Sequence, residues 1–130
     1  MLPMRADFLW AASKGQKAGG PHLLIQGVPR RGKALERYQG RVRVGFTASK
    51  KVGNAVARAR AKRRMRELAR AYLTAQATLD RHDYVFIARD SLCHAPWADL
   101  CEQCQEHLAR VNRRLKKAES KGTDKGKCDA

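Results

Sequence analysis

The first 79 residues of this 130-residue chain have almost no acidic side chains. They hold 18 lysines and arginines against three aspartates and glutamates, a balance of +15, whereas residues 80 to 130 are close to neutral at +1. Such an excess of one sign attracts polyanions whatever the fold. The imbalance favours a nucleic acid or an anionic membrane as partner. It argues against a two-metal nuclease, which needs clustered carboxylates.

Long apolar runs and a cysteine framework are also absent. No stretch reaches the roughly 18 apolar residues of a membrane-spanning helix, and Asp7 interrupts the apolar N-terminus, which has no basic region before it. A signal peptide and a membrane partner are therefore not expected. The four cysteines lie in the last third, unlike those of a disulfide-stapled secreted domain. We expect a cytoplasmic protein with reduced thiols at Cys93, Cys101, Cys104 and Cys128.

The chain length suits a single domain with a modest core. Apolar spacing predicts helices at about 4 to 14, 54 to 79 and 95 to 117, and strands at 22 to 25, 41 to 48 and 83 to 88. Residues 28 to 40 read as a long basic loop. The expected domain spans 1–117, and residues 118–130 lack large apolar groups, which predicts a disordered basic tail.

The second predicted helix carries the densest positive charge. Gly53 allows the turn into it, and Asn54 is a suitable N-cap. Like charges three and four apart destabilise a helix by a few tenths of a kcal/mol per pair. Solvated helix faces usually mix signs, but here only Glu67 interrupts the cations between Arg58 and Arg70. The pattern therefore favours nucleic-acid binding, and its richness in arginine suits bidentate phosphate contacts.

A metal site is the competing interpretation of the cysteines and histidines. Cys101, Cys104 and His107 could share a helix face, with Cys93 and His94 nearby. Cys104 also fills an apolar helix position, where a thiol acts as a small hydrophobe. The sequence predicts no metal bound by the protein. It contains no grouping that indicates a nucleophile or another catalytic residue.

The segment SKKVGNAVARARAKRRMRE resembles the signature of the bacterial ribonuclease P protein component. The similarity extends over about residues 4 to 116. Three positions depart from the family pattern, since Ala59, Ala12 and Gln26 stand where an asparagine, an aromatic and a strand tyrosine are usual. The matching signature positions are Ser49, Lys50, Lys51, Gly53, Ala55, Val56, Arg58, Lys62, Arg63 and Arg66.

The resemblance implies an α+β fold made of one small domain. Its order αβββαβα gives a four-stranded mixed sheet packed with three helices. A left-handed βαβ crossover runs through the central helix, against the general preference for right-handed ones. The strands at 41 to 48 and 83 to 89 should pair.

The resemblance also implies a role in the ribonucleoprotein endonuclease that removes the 5′ leader of precursor tRNA. The expected partners are the catalytic RNA and precursor tRNA, not DNA, with magnesium bound chiefly by the RNA, which carries the chemistry. Arg58, Arg60, Lys62, Arg63 and Arg66 are expected to bind the catalytic RNA. The leader is expected to meet Phe8, Lys50, Lys51 and Arg89.

Two other classes remain open from the residues. A ribosomal or other structural RNA-binding protein would share the charge but not the whole pattern from Lys50 to Arg66. A helix-turn-helix DNA-binding protein needs a second short helix close to the basic one. The strand predicted at Tyr84 occupies that part of the chain.

Overall fold

The computed structural model describes residues 15–29, 43–74, 78–79 and 82–129, with side chains described to residue 118. The strands are β1 (Gln16–Gly19), β2 (Leu23–Pro29), β3 (Arg43–Thr47) and β4 (His82–Ala88), and the helices are α1 (Ala55–Tyr72) and α2 (Trp97–Asp129). Short 3-10 helices at Lys50–Val52 and Leu92–His94 precede α1 and α2. The helix predicted at 4 to 14, with Phe8, lies outside the described residues.

The four strands form one mixed sheet in the order β1-β2-β4-β3. β1 pairs antiparallel with β2, and β2 antiparallel with β4. β3 runs parallel to β4, with Arg43 opposite Asp83 and Thr47 opposite Ile87. The predicted pairing of these two segments is therefore confirmed. β4 lies between two strands, as its apolar sequence predicts for a central strand.

One face of the sheet forms the hydrophobic core. The strand registers place Ala18, Ile25, Phe86 and Phe46 in one row across all four strands. The rings of Phe46 and Phe86 meet edge to face, 5.9 Å apart. α1 contacts β3 and β4, while α2 contacts β1 and β2. The side chains that the helices bury in this core include Ala61, Met65, Leu68, Leu100, Cys104, Leu108 and Val111.

α1 ends at Tyr72, earlier than the predicted end at residue 79. Leu79 nevertheless packs against the core, and its backbone N–H donates to the hydroxyl of Tyr84 at 2.8 Å. That hydroxyl donates to Oδ1 of Asn112 on α2 at 2.7 Å. Leu79 continues the helical spacing of the apolar residues in α1, although the helix has ended before it. Periodicity alone therefore overestimated the length of α1.

α2 starts at Trp97 and continues to Asp129, beyond the predicted end at residue 117. A helix that has already formed extends without a new nucleation step, so the loss of apolar periodicity does not by itself end it. The division into a domain at 1–117 and a disordered tail at 118–130 stays a prediction, which amide exchange over the tail tests. Within the described ranges, no helix is long and apolar enough to cross a membrane.

β3 contains a buried cation. Arg43 is 4% exposed and forms a bidentate pair with Asp83 of β4. Its Nε and Nη2 donate to the two carboxylate oxygens at 3.0 and 2.6 Å. A guanidinium can be buried when a carboxylate satisfies both its charge and its hydrogen bonds.

Candidate nucleic-acid interface

The start of α1 is fixed by a turn that only glycine adopts easily. Gly53 has a φ of 141°, and a Cβ there would lie 2.9 Å from the Cβ of Ala57. Asn54 then caps the helix, since its side-chain oxygen accepts from the backbone N–H of Ala57 at 2.9 Å. The turn leaves Lys50 and Lys51 exposed just before the positive end of the helix dipole.

Three cations lie together along one flank of α1. Arg58, Lys62 and Arg66 follow one another at four-residue spacing and line a hollow of about 280 Å³ against Ala48, beyond the end of β3. We call this hollow the α1 notch. The side chains of Arg58 and Lys62 are half-buried, and Arg66 is exposed. None of the three has an acidic partner among the described residues.

The other two cations predicted to bind the catalytic RNA lie elsewhere on α1. Residues two apart on a helix are rotated by about 200°, so Arg60 points to the flank opposite Lys62. Arg63 lies on the exposed ridge between the two flanks. The structure therefore brings together three of the five predicted residues, while Arg60 and Arg63 extend the positive surface over the top of the helix.

Arg64 contributes to the structure of the protein itself. Its guanidinium donates to the backbone carbonyls of Leu92 at 2.6 Å and Ala95 at 2.9 Å. It also lies over the ring of Trp97, 5.7 Å from the ring centroid. These contacts join α1 to the turn that leads into α2. The sequence offered one signal, because a helical wheel places Arg64 beside the apolar stripe of Ala61 and Leu68.

A second hollow lies on the sheet face opposite the core. It has a volume of about 540 Å³, and Lys51, Arg89 and the acidic Asp90 line it together with Leu24 and Ile87. We call it the sheet cleft. Leu24 and Ile87 are paired in the strand register and form a half-buried apolar surface within it. Of the residues predicted to bind the leader, the structure brings Lys51 and Arg89 together, with Lys50 exposed next to them. The fourth, Phe8, lies outside the described residues.

The wall of the sheet cleft is held by a polar clip that sequence reasoning missed. The hydroxyl of Ser91 donates to the carbonyl of Pro21 at 2.9 Å and lies 2.5 Å from Nδ1 of His22. The backbone N–H of Arg89 donates to the carbonyl of His22 at 3.0 Å. The clip fixes the turn that carries Arg89. No local pattern links two segments so far apart in the chain, so the sequence held no signal for it.

The cysteines and histidines were the candidate metal ligands of the sequence. No group of three or more His, Cys, Asp or Glu side chains that could hold a metal occurs in the part of the chain that the structure describes. Cys104 is fully buried in the core, and this burial raises the pKa of its thiol to about 12. His107 is 4% exposed, and its burial, followed by the charge of Arg110, lowers its pKa. Both groups therefore favour their neutral forms.

The fold and these two cationic hollows define a class, a small α+β protein with surfaces for a nucleic acid. The family model for ribonuclease P matches residues 1–112. The chain belongs to the ribonuclease P protein family, and it is therefore an RNA-binding protein of tRNA processing. The earlier alternatives, a ribosomal protein and a helix-turn-helix protein, are set aside by this match.

Individual relatives are similar over most of their length. The ribonuclease P protein component of Ruegeria pomeroyi is 46% identical over 113 residues, which cover 86% of each chain. That of Paramagnetospirillum magneticum is 41% identical over 110 residues, 85% of this chain and 80% of the relative.

Solved structures show the same fold. The Staphylococcus aureus RNase P protein has a TM-score of 0.66 at 23% identity, covering 85% of this chain and 95% of its own. The Thermotoga maritima protein has a TM-score of 0.64 at 23% identity, covering 85% and 96%.

Proposed function

We propose that this chain is the protein subunit of a ribonuclease P particle that removes the 5′ leader of precursor tRNA. Its RNA subunit carries the chemistry, and this chain supplies no catalytic residue. The chain binds two RNAs on two surfaces. The catalytic RNA lies against α1, and the single-stranded leader lies in the sheet cleft.

The observation that best supports binding of the catalytic RNA to α1 is the unpaired positive charge of this helix. Arg58, Lys62 and Arg66 have no acidic partner among the described residues, and the notch holds them in one line. Phosphates of a folded RNA relieve their mutual repulsion, and release of counterions supplies much of the affinity. Arg60 and Arg63 extend the contact over the ridge of the helix. Structured RNA is recognised largely through its backbone and shape, which suits such a surface.

Binding of the leader is supported by the side chains that line the sheet cleft. Lys51 and Arg89 can hold backbone phosphates, while Leu24 and Ile87 offer an apolar floor for bases. Lys50 is exposed beside Lys51 and extends the positive edge. Phe8 completes the proposal as a stacking aromatic, a contact worth roughly 1 to 3 kcal/mol per base for any sequence. A cleft of this kind binds leaders without strong sequence preference.

Magnesium belongs to the RNA in this proposal. The described residues do not fit a resident metal, since they contain no cluster of three potential ligands. Magnesium bound to the RNA would stabilise charge at the scissile phosphate. The chain's own cations help to neutralise the folded RNA.

The proposal also includes finer features of the fold and the setting in the cell. A third helix at about 4 to 14 is expected to form one wall of the sheet cleft. The crossover from β3 through α1 to the parallel β4 is expected to be left-handed. The particle is expected to act in the cytoplasm.

Leader binding is tested with precursor tRNA that has or lacks its leader. Replacing Lys51 and Arg89 together with Ala should weaken binding of the leader-bearing RNA and leave the leaderless RNA nearly unchanged. Phe8→Ala should show the same selectivity. Lys17→Ala is a matched control, because it removes an exposed cation of β1 that does not line the cleft. Equal losses for both RNAs would reject the leader role.

The identity of the RNA partner is tested by sequencing the RNA that co-purifies with the chain from cells. One abundant, structured, non-ribosomal species is expected. Recovery of ribosomal RNA in its place would overturn the proposed function.

A further inference from the structure

Trp97 is an exposed aromatic residue that the proposed RNA contacts do not use. Among the described residues, the exposed large hydrophobic side chains are Val56 and Trp97, the latter at 39%. Trp97 is the first residue of α2 and follows the short 3-10 helix Leu92–His94. Tryptophan is enriched at interfaces, so a tryptophan that stays accessible on a highly charged protein is a candidate contact for a partner.

The indole ring is held in a fixed position by its neighbour on α1. The guanidinium of Arg64 lies 5.7 Å from the ring centroid. Arg64 is itself anchored, since it donates to the carbonyls of Leu92 and Ala95 at 2.6 and 2.9 Å. The ring is thus oriented before any partner arrives. A preorganised group loses less conformational entropy on binding.

The charges around Trp97 indicate the chemistry of the partner. Arg60 lies one turn before Arg64 on the same flank of α1, is exposed, and has no acidic partner in the described part of the chain. Glu67 and Asp99 are the nearby acids along the two helices. Asp99 is two positions beyond Trp97 on α2 and so points away from it by about 200°. Glu67 lies two turns beyond Arg60 on α1 and does not pair with it. A flat apolar ring near one exposed arginine matches a base and its phosphate.

We propose that Trp97 is a stacking platform for an unpaired base of bound RNA, with Arg60 holding an adjacent phosphate. The site lies on the flank of α1 opposite the α1 notch, so an RNA bound at both crosses the ridge at Arg63. Stacking of this kind tolerates any base, since every base has a π face. The inference rests on the proposed function only in taking RNA as the partner.

The test uses the intrinsic fluorescence of Trp97 in the full-length chain. The sequence contains two tryptophans, Trp10 and Trp97. A Trp10→Phe variant therefore reports on Trp97 alone. Lys51→Ala and Arg89→Ala are added to weaken the sheet cleft. Titration with an oligoadenylate of roughly ten nucleotides, within the usual site size of single-strand binders, should quench the emission to saturation.

Affinity measurements by anisotropy of labelled oligoadenylate then assign the contact. Trp97→Ala should weaken binding by about 5- to 150-fold, while Trp97→Phe should retain most of it. Because the ring carries no charge, the slope of log affinity against log salt should not change in Trp97→Ala. In Arg60→Ala the magnitude of this slope should decrease by about 0.7. Val56→Ala is the control for loss of an exposed apolar group on α1.

Several outcomes would overturn the inference. They are emission of Trp97 that does not respond to oligoadenylate, equal affinity of Trp97→Ala and the parent, or an equal loss in Val56→Ala. Trp97→Leu keeps an apolar side chain over Arg64 and provides the comparison if Trp97→Ala does not fold. If one of these outcomes occurs and the unmodified chain still binds the catalytic RNA, the platform is wrong and the proposed function stands. If it binds no catalytic RNA, the proposed function fails.

Discussion

At the scale of single residues, two adjacent arginines of α1 have opposite surroundings. Arg63 is exposed on the ridge of the helix and has no partner among the described side chains. Arg64 donates to two backbone carbonyls and lies over one face of the ring of Trp97. The first is available to RNA, and the second holds two helices together.

This contrast predicts opposite effects of two equivalent substitutions. Arg64→Ala should lower the free energy of unfolding by about 1.5 to 3 kcal/mol, because it removes hydrogen bonds from a charged donor. Arg63→Ala should change it by less than about 0.5 kcal/mol, as is usual at the surface. Urea unfolding followed by circular dichroism measures both. Equal stability of the two variants would show that the contacts of Arg64 contribute nothing.

The buried thiol of Cys104 predicts a dependence of stability on pH. Its pKa is raised from 9.0 to about 12, first by desolvation and then by the charge of Cys101. The folded state therefore keeps the proton that the unfolded state releases. The contribution of Cys104 is fully present below about pH 9 and is lost as pH rises through about 12.

The contribution of Cys104 is isolated by comparing urea unfolding of the native chain and of Cys104→Ala between pH 8 and 11. The other titratable groups are the same in both proteins. The native chain should lose more stability over this interval, by at most about 1.4 kcal/mol per pH unit. Parallel pH profiles would contradict the assignment.

At the scale of helices and strands, close packing of α2 on β2 depends on a missing side chain. A Cβ at Gly27 would lie 2.7 Å from Cγ1 of Val111 and 2.8 Å from Cδ1 of Leu115. Both of those side chains are buried in the core. The strand and the helix can approach this closely only because position 27 has no side chain.

Gly27→Ala should therefore destabilise the protein through overpacking, by about 1 to 3 kcal/mol in urea unfolding. Combining it with Val111→Ala should cost less than the sum of the two single changes, because the smaller side chain makes room for the new methyl group. Strict additivity in this double-mutant cycle would show that the two positions do not meet.

The elements differ in how far the sequence could define them. β4 and the start of α1 follow from local chemistry, namely a run of apolar residues and the cap at Asn54. β1 has no such pattern, since Gln16–Gly19 contains only Ala18 as a buried apolar residue. Its strand conformation comes from pairing with β2. The ends of both helices were also misjudged, because periodicity does not report where hydrogen bonding stops.

The candidate site likewise has features that the sequence predicted and features that only the structure shows. The spacing of the cations on α1 predicted a positive surface, and the wider family resemblance selected Lys51 and Arg89 as residues that bind the leader. The resemblance also implied two separate RNA-binding surfaces. The shapes of the α1 notch and the sheet cleft could not be derived, since they depend on how β3 and β4 meet the loops that follow them. The role of Arg64 required knowledge of Leu92 and Ala95, which lie far along the chain.

At the scale of the whole molecule, the charge is placed on the helix and loop surfaces and kept out of the core. The formal net charge is +16. The buried cation Arg43 is paired with Asp83, whereas the cations of the α1 notch face outward without acidic partners among the described residues. Repulsion between like charges on α1 is thus retained in the free protein and relieved by a polyanion. Under the proposed function, one folded body holds two RNA segments at once.

The most direct test of this account measures how binding of the catalytic RNA depends on salt. A triple variant in which Arg58, Lys62 and Arg66 are all Ala should have a less steep slope of log affinity against log salt. The magnitude of the slope should decrease by about two to three units, because each lost phosphate contact removes about 0.7 to 0.9. Circular dichroism should show an intact fold. The matched control replaces three exposed cations of α2, Arg113, Lys116 and Lys117, and should leave the slope nearly unchanged. An unchanged slope in the first variant, or an equal fall in both, would contradict the assignment of the α1 notch to the catalytic RNA.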